Sequence, residues 1–206
     1  MQSQIYRYSP FNWIIETQYS GDINTIINFL DKTDGVFYKK GLSTSKNSNQ
    51  YWFLGKGANY SHIAIYQNII NSIKNQTLRE LKYFKLLFKE IYLDPFTCWS
   101  VTGTKGGFHK IHDHGLQNLI CSIVYTKVPE VMEDEEGYTF FIMSNDIRHQ
   151  NYSSIPKSIE IKPEIGKMII FPSHILHGVY PYPEGIRQTF NLDFNLLEGN
   201  KKYEYH

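Results

Sequence analysis

Cysteine is scarce in this 206-residue chain. Cys98 and Cys121 are the only two, and they form no Cys-x-x-Cys pair. Two cysteines in a chain of this length do not make a disulfide scaffold, so they read as reduced thiols, and neither sits in a pattern for thiol catalysis. Nowhere do roughly 18 apolar residues run together, which excludes a membrane-spanning helix. The opening stretch MQSQIYRYSPFNWIIE lacks a charged segment followed by an apolar core. It therefore predicts no secretory leader and a soluble, cytoplasmic protein. An excess of one charge is missing too: 21 Lys and Arg stand against 20 Asp and Glu, for a net charge of +1. A nucleic-acid binder would be expected to show a basic surplus. There is no repeat, low-complexity segment or evident linker.

Aromatic residues, by contrast, are plentiful: 16 Tyr and 13 Phe help bring the apolar share to 41%. A chain this long buries roughly 70% of its unfolded surface and can fold as one domain without a structural metal. Residues 1–95 read as a helical support region of that domain. Ser20-Gly21-Asp22 is placed to cap a helix carrying Ile23, Ile26, Ile27 and Leu30. After a Ser-, Asn- and Lys-rich loop at 41–49, Tyr51–Leu54 reads as a strand. Ser61 would open a second helix with Ile63, Tyr66, Ile69, Ile70 and Ile73, and Thr77 a third with Leu78, Leu81, Phe84, Leu87 and Ile91. From residue 96 to 206 the signal turns to β. The strands expected are 97–104, 119–126, 137–143, 158–162, 168–171, 175–180 and 187–196, punctuated by Gly and Pro. The fold class is mainly β with α, an antiparallel sandwich or jelly roll.

The chemistry-bearing residues concentrate in two places. His109-Lys110-Ile111-His112-Asp113-His114 holds three histidines. On a strand, His112 and His114 share a face, whereas His109 and Asp113 occupy the other. Far along the chain, His174 and His177 follow Phe171-Pro172-Ser173. A local pair plus one distant imidazole is a usual recipe for a mononuclear metal site with open positions for substrate or dioxygen. Taken alone, the His-x-His spacing also fits histidines with no metal role.

Five elements in order carry a resemblance: His112-Asp113-His114, Ser122–Tyr125, Gly166–Ser173, His177 and Arg187-Gln188-Thr189. The stretch from about 97 to 195 resembles the iron(II)- and 2-oxoglutarate-dependent oxygenases, and more narrowly a prolyl-hydroxylase-like group of phages and bacteria. That resemblance implies a double-stranded β-helix (jelly-roll or cupin-like), Fe(II) and the cosubstrate 2-oxoglutarate. It also implies dioxygen as co-reactant and hydroxylation of a C–H bond in a small molecule or a prolyl or other protein side chain. His112 and His177 would bind iron. His114 stands where the family normally has an aspartate. Three outcomes follow: a working three-histidine site, recruitment of Asp113 through a kink, or loss of hydroxylase activity. A regular strand turns Asp113 away and favours the three histidines. Arg187 offers a planar fork for the buried carboxylate of 2-oxoglutarate. Thr189 would add a hydroxyl, and Tyr125 resembles the tyrosine that caps the same carboxylate.

Two other readings stand beside this one. The first is a three-histidine cupin-like dioxygenase that does not use 2-oxoglutarate. The second is a non-catalytic barrel protein of viral origin. Glu130, Glu133, Asp134, Glu135 and Glu136 read as a solvated loop. His109, His149 and His174 belong to the surface or behind the metal ligands. The run 103–107 misses the spacing of a phosphate loop.

Overall fold

The computed structural model describes residues 2–33, 36–38, 45–86, 91–115, 119–130, 133, 135–143 and 158–198. Along these, β1 (Gln4–Arg7) and β2 (Trp13–Gln18) precede α1 (Ile23–Lys32), and β3 (Val36–Tyr38), β4 (Ser48–Gly55) and β5 (Ala58–Asn59) precede α2 (Ala64–Tyr83). The remainder is β: β6 (Ile91–Gly103), β7 (His109–His112), β8 (Leu119–Lys127), β9 (Thr139–Ile142), β10 (Ser158–Ile161), β11 (Lys167–Pro172), β12 (Leu176–Val179) and β13 (Arg187–Glu198). Two antiparallel sheets result. The larger runs β1-β2-β11-β8-β13-β6-β4-β3, with β5 on β4, and the smaller runs β10-β9-β12-β7. This is the double-stranded β-helix, and the strands expected after residue 96 all form, shifted at their ends.

Three central strands serve two layers at once, because successive side chains on a strand point to opposite faces. Ile120 and Val124 of β8, Met168 and Ile170 of β11, and Phe190, Leu192 and Phe194 of β13 pack in one cluster with Ile26 and Phe29 of α1 and Tyr66, Ile69 and Ile73 of α2. Cys121 and Tyr125 of β8 and Ile169 and Phe171 of β11 turn the other way, onto Phe141 of β9 and Ile159 and Ile161 of β10. The helices therefore cover one face of the large sheet, and the small sheet covers the other.

The first 95 residues hold more strand than expected. β2 was missed because Trp13, Ile14 and Ile15 are all buried, so no alternation marks it. It pairs with β11 and thereby lies inside the large sheet. The second and third expected helices are one helix, α2. Thr77 does not open a new one. Its hydroxyl donates to the Ile73 carbonyl at 2.9 Å and meets Ser122 Oγ on β8 at 3.0 Å. Nor does Ser61 cap α2: the capping position is Ile63, with no side-chain bond, and Ser61 Oγ bonds Asn59 Oδ1. Lys85, at φ 54°, turns the chain out of the helix, and Ile91 begins β6. Leu87 lies outside the described residues. Asp22 caps α1 as expected, accepting from Asn24 N at 3.0 Å.

Phe190 ties the helices to the sheet, with its ring centroid 6.2 Å from Phe29 and 5.9 Å from Phe53, and it is fully buried. Phe190→Ala is expected to cost about 3–5 kcal/mol in a urea titration, against about 1 kcal/mol for loss of the cap in Asp22→Ala. Equal costs would contradict this division between core and cap.

Candidate metal centre and its pocket

The pocket opens between the two sheets, with a volume of about 650 Å³. That lies within the range of ligand sites, roughly 300–1,000 Å³. β7 and β12 bring His112 and His177 together as direct cross-strand partners. His114 lies just beyond the end of β7, where its backbone N–H donates to the Ser173 carbonyl at 2.9 Å. The ring centroids are 4.4 Å apart for His112–His177, 5.0 Å for His114–His177 and 5.5 Å for His112–His114. One potential ligand atom from each ring lies within 4.8 Å of the other two.

Hydrogen bonds fix how these rings present themselves. His112 Nδ1 lies 2.8 Å from the Lys110 carbonyl, and His177 Nδ1 lies 3.0 Å from the Ile175 carbonyl. His114 Nδ1 faces Asp193 at 3.0 Å to Oδ1 and 3.1 Å to Oδ2. Carbonyl and carboxylate oxygens only accept, so each Nδ1 carries a proton and Nε2 is the atom each ring can turn to a metal. Metal-binding histidines are commonly oriented in this way. Burial drives the His177 imidazole well below the ordinary 6.5, helped by its neighbours His114 and His112, and burial lowers His112 as well. Both are held neutral, the form that binds a metal.

Asp113 is exposed and lines the pocket without reaching the histidine cluster. Its Oδ1 accepts from Gly115 N at 3.0 Å, and it joins neither cluster of potential ligands. A second such cluster exists, made of His114, Cys121 and Asp193, and it shares His114 with the first. Cys121 Sγ lies 3.3 Å from His114 Nδ1, and burial pushes its thiol well above the ordinary range. Both cysteines are free and buried.

Deeper in, β13 sends Arg187, Thr189, Asn191 and Asp193 to the pocket wall, the face opposite Phe190 and Leu192. Arg187 is 2% exposed. It donates from Nε to the Gly137 carbonyl and from Nη2 to Thr139 Oγ1, each at 3.0 Å. Its guanidinium lies over the rings of Tyr125, at 4.9 Å, and Tyr182, at 5.2 Å. Tyr125 Oη meets Thr139 Oγ1 at 2.6 Å, and Thr189 pairs directly with Tyr125 across the strands. Among the described residues Arg187 has no acidic partner, so this buried cation is placed to receive an anion.

The expected residues thus come together: His112, His114 and His177 at one station, and Arg187, Thr189 and Tyr125 at another. Several were missed. Asn191 and Asp193 continue the alternation begun by Arg187 and Thr189, and extending that period would have found them. Thr139 and the paired rings of Trp52 and Trp99, 5.1 Å apart on the pocket wall, carry no local signal. His109 is not a surface residue. It is buried against the pocket, and its Nε2 has no hydrogen-bond partner. His174 bonds Asn12 away from the pocket, and His149 and Asp134 lie outside the described residues.

Residues 97–193 match the family model described as "Putative 2OG-Fe(II) oxygenase". Among solved structures, a prolyl-4-hydroxylase of Pseudomonas putida aligns at TM-score 0.59 and 10% identity, over 88% of this chain and 91% of its own. A collagen prolyl hydroxylase of Paramecium bursaria Chlorella virus-1, solved as a 2OG complex, aligns at TM-score 0.55 and 20% identity, over 88% and 96%. A Trichoplax adhaerens prolyl hydroxylase, in complex with a hypoxia-inducible-factor peptide fragment, aligns at 0.57 and 14%, over 88% and 83%. At these identities the likeness is one of fold. The curated proteins contain no match.

The neutral imidazoles set a pH dependence. Burial lowers His109, His112 and His177 in the folded chain. Below about 6.5 the unfolded chain therefore binds more protons than the folded one, and stability falls as pH falls. The urea midpoint of metal-free protein is expected to drop between about pH 7 and pH 5, and to drop less steeply in His177→Gln. A midpoint that stays level over that range would contradict the buried, neutral assignment.

Proposed function

From a chain whose residues 97–193 match the model of the 2OG-Fe(II) oxygenases, we propose an Fe(II)- and 2-oxoglutarate-dependent dioxygenase in which His112, His114 and His177 hold the metal and Arg187, Thr189 and Tyr125 hold the cosubstrate. The chemistry of the donor set fits. Three imidazoles suit Fe(II) and leave open positions for a chelating 2-oxo acid and dioxygen. Bound iron with 2-oxoglutarate and dioxygen supplies the oxidising power to hydroxylate a C–H bond while the cosubstrate is converted to succinate and carbon dioxide.

The chain's own groups do the rest. Arg187 offers its remaining N–H donors to the far carboxylate, and the Tyr125–Thr139 hydroxyl pair beside it can add a further hydrogen bond. The single observation that carries the reading is Arg187: a guanidinium 2% exposed, with neutral hydrogen-bond partners and no carboxylate among the described residues. A three-histidine dioxygenase that does not use 2-oxoglutarate has no need of such a cation. A prolyl or other protein side chain is the substrate class that the likeness to prolyl hydroxylases supports.

Calorimetric titration of Mn(II)-loaded protein with 2-oxoglutarate tests this. Wild type is expected to bind, with His177→Ala failing to load metal. Arg187→Met is expected to load metal normally yet bind 2-oxoglutarate at least about 30-fold more weakly, the effect of about 2 kcal/mol for a truncated buried charge pair. Equal affinity in wild type and Arg187→Met would sink the cosubstrate assignment.

A further inference from the structure

The family's usual metal face contains a carboxylate, and here His114 stands in its place. Three neutral imidazoles leave a divalent ion's charge uncompensated in a buried pocket, a costly arrangement. The structure holds a carboxylate one ring further back. Asp193 is 5% exposed, and both of its oxygens lie within 3.1 Å of His114 Nδ1. Thr97 Oγ1 donates to Asp193 Oδ2 at 3.1 Å, anchoring the carboxylate from β6. The other two histidines rest on backbone carbonyls, so His114 alone is backed by an acidic side chain.

We propose that Asp193 is the positioning residue that replaces the missing ligand carboxylate, orienting His114 and supplying negative charge to the metal through its imidazole. This rests on the three-histidine site proposed above. Two things follow from the geometry. Asp193 can only accept from Nδ1–H, which commits Nε2 of His114 to the ion. Its charge also offsets part of the ion's, without occupying a coordination position. The metal thus keeps the open positions of a two-histidine, one-carboxylate face. Direct coordination of an ion by Asp193 would need the other cluster, with Cys121 and with His114, whose Nδ1 lies 3.3 Å from Cys121 Sγ. That cluster uses the nitrogen now facing Asp193, so the two arrangements exclude one another.

The test uses full-length protein and measures Mn(II) affinity together with the visible and near-ultraviolet spectrum of the Co(II) form. Asp193→Asn keeps the shape and an acceptor for His114 but removes the charge. Mn(II) binding is expected to weaken about 10- to 100-fold, the usual effect of losing such a partner. The Co(II) bands should shift, while urea stability of the metal-free protein stays near wild type. Moving the carboxylate into the ligand position, with His114→Asp and Asp193→Asn together, is expected to recover affinity. If Asp193→Asn does not fold, Thr97→Val loosens the same carboxylate and should cost several-fold in affinity. Wild-type affinity in Asp193→Asn, or in Thr97→Val, would overturn the proposal. So would a thiolate-to-cobalt band in wild type that disappears in Cys121→Ser, since it would place the ion among His114, Cys121 and Asp193. Full metal loading in both His112→Ala and His177→Ala would instead overturn the three-histidine site itself.

Discussion

Three imidazoles can turn their Nε2 atoms to one ion when each ring's Nδ1 faces an acceptor. The fold meets that requirement with three separate acceptors: the Lys110 carbonyl, the Ile175 carbonyl and the Asp193 carboxylate. Two come from backbone within two residues of the histidine served, so strand geometry alone provides them. The third comes from β13, across the large sheet. The site therefore depends on the small sheet, which pairs His112 with His177, staying in register with the large sheet that delivers Asp193.

β13 is the element that makes core and chemistry one structure. Its even-numbered residues Phe190, Leu192 and Phe194 pack toward the helices, and its odd-numbered residues Arg187, Thr189, Asn191 and Asp193 line the pocket. A one-residue slip would exchange the two sets and place a guanidinium in the aromatic core. Pairing with both β6 and β8 guards against that slip. Burial of Phe190 thus does two jobs, stabilising the fold and aiming Arg187.

Much of this was legible in the sequence, for local reasons. Arg187 and Thr189 are two apart on β13, so period-2 alternation places them on one face. The closeness of His112 and His114 in the chain also brings both to the pocket, although β7 ends at His112 and the bond from His114 N to the Ser173 carbonyl holds the second ring. The β core after residue 96 announces itself through β-branched and aromatic runs between Gly and Pro. What stayed hidden is non-local or breaks the period. β2 is buried on both faces and shows no alternation. Thr77 looks like a helix start, yet it sits mid-helix because Ser122 on β8 meets its hydroxyl. Asp193 is unremarkable in the chain until folding brings it 79 residues away to His114. His109 gives no hint of its depth, because the groups that face it, Tyr182 in the connection after β12 and Arg187 on β13, come from far along the chain.

The account stands on metal and 2-oxo acid being held together in one pocket, the first by imidazoles and the second by Arg187. Anaerobic addition of 2-oxoglutarate to the Fe(II)-loaded protein reports on both at once, because chelation of iron by a 2-oxo acid gives a visible charge-transfer band. The account predicts a band that requires both components and saturates at one cosubstrate per iron. A protein that takes up iron and 2-oxoglutarate independently, with no such band, would contradict it.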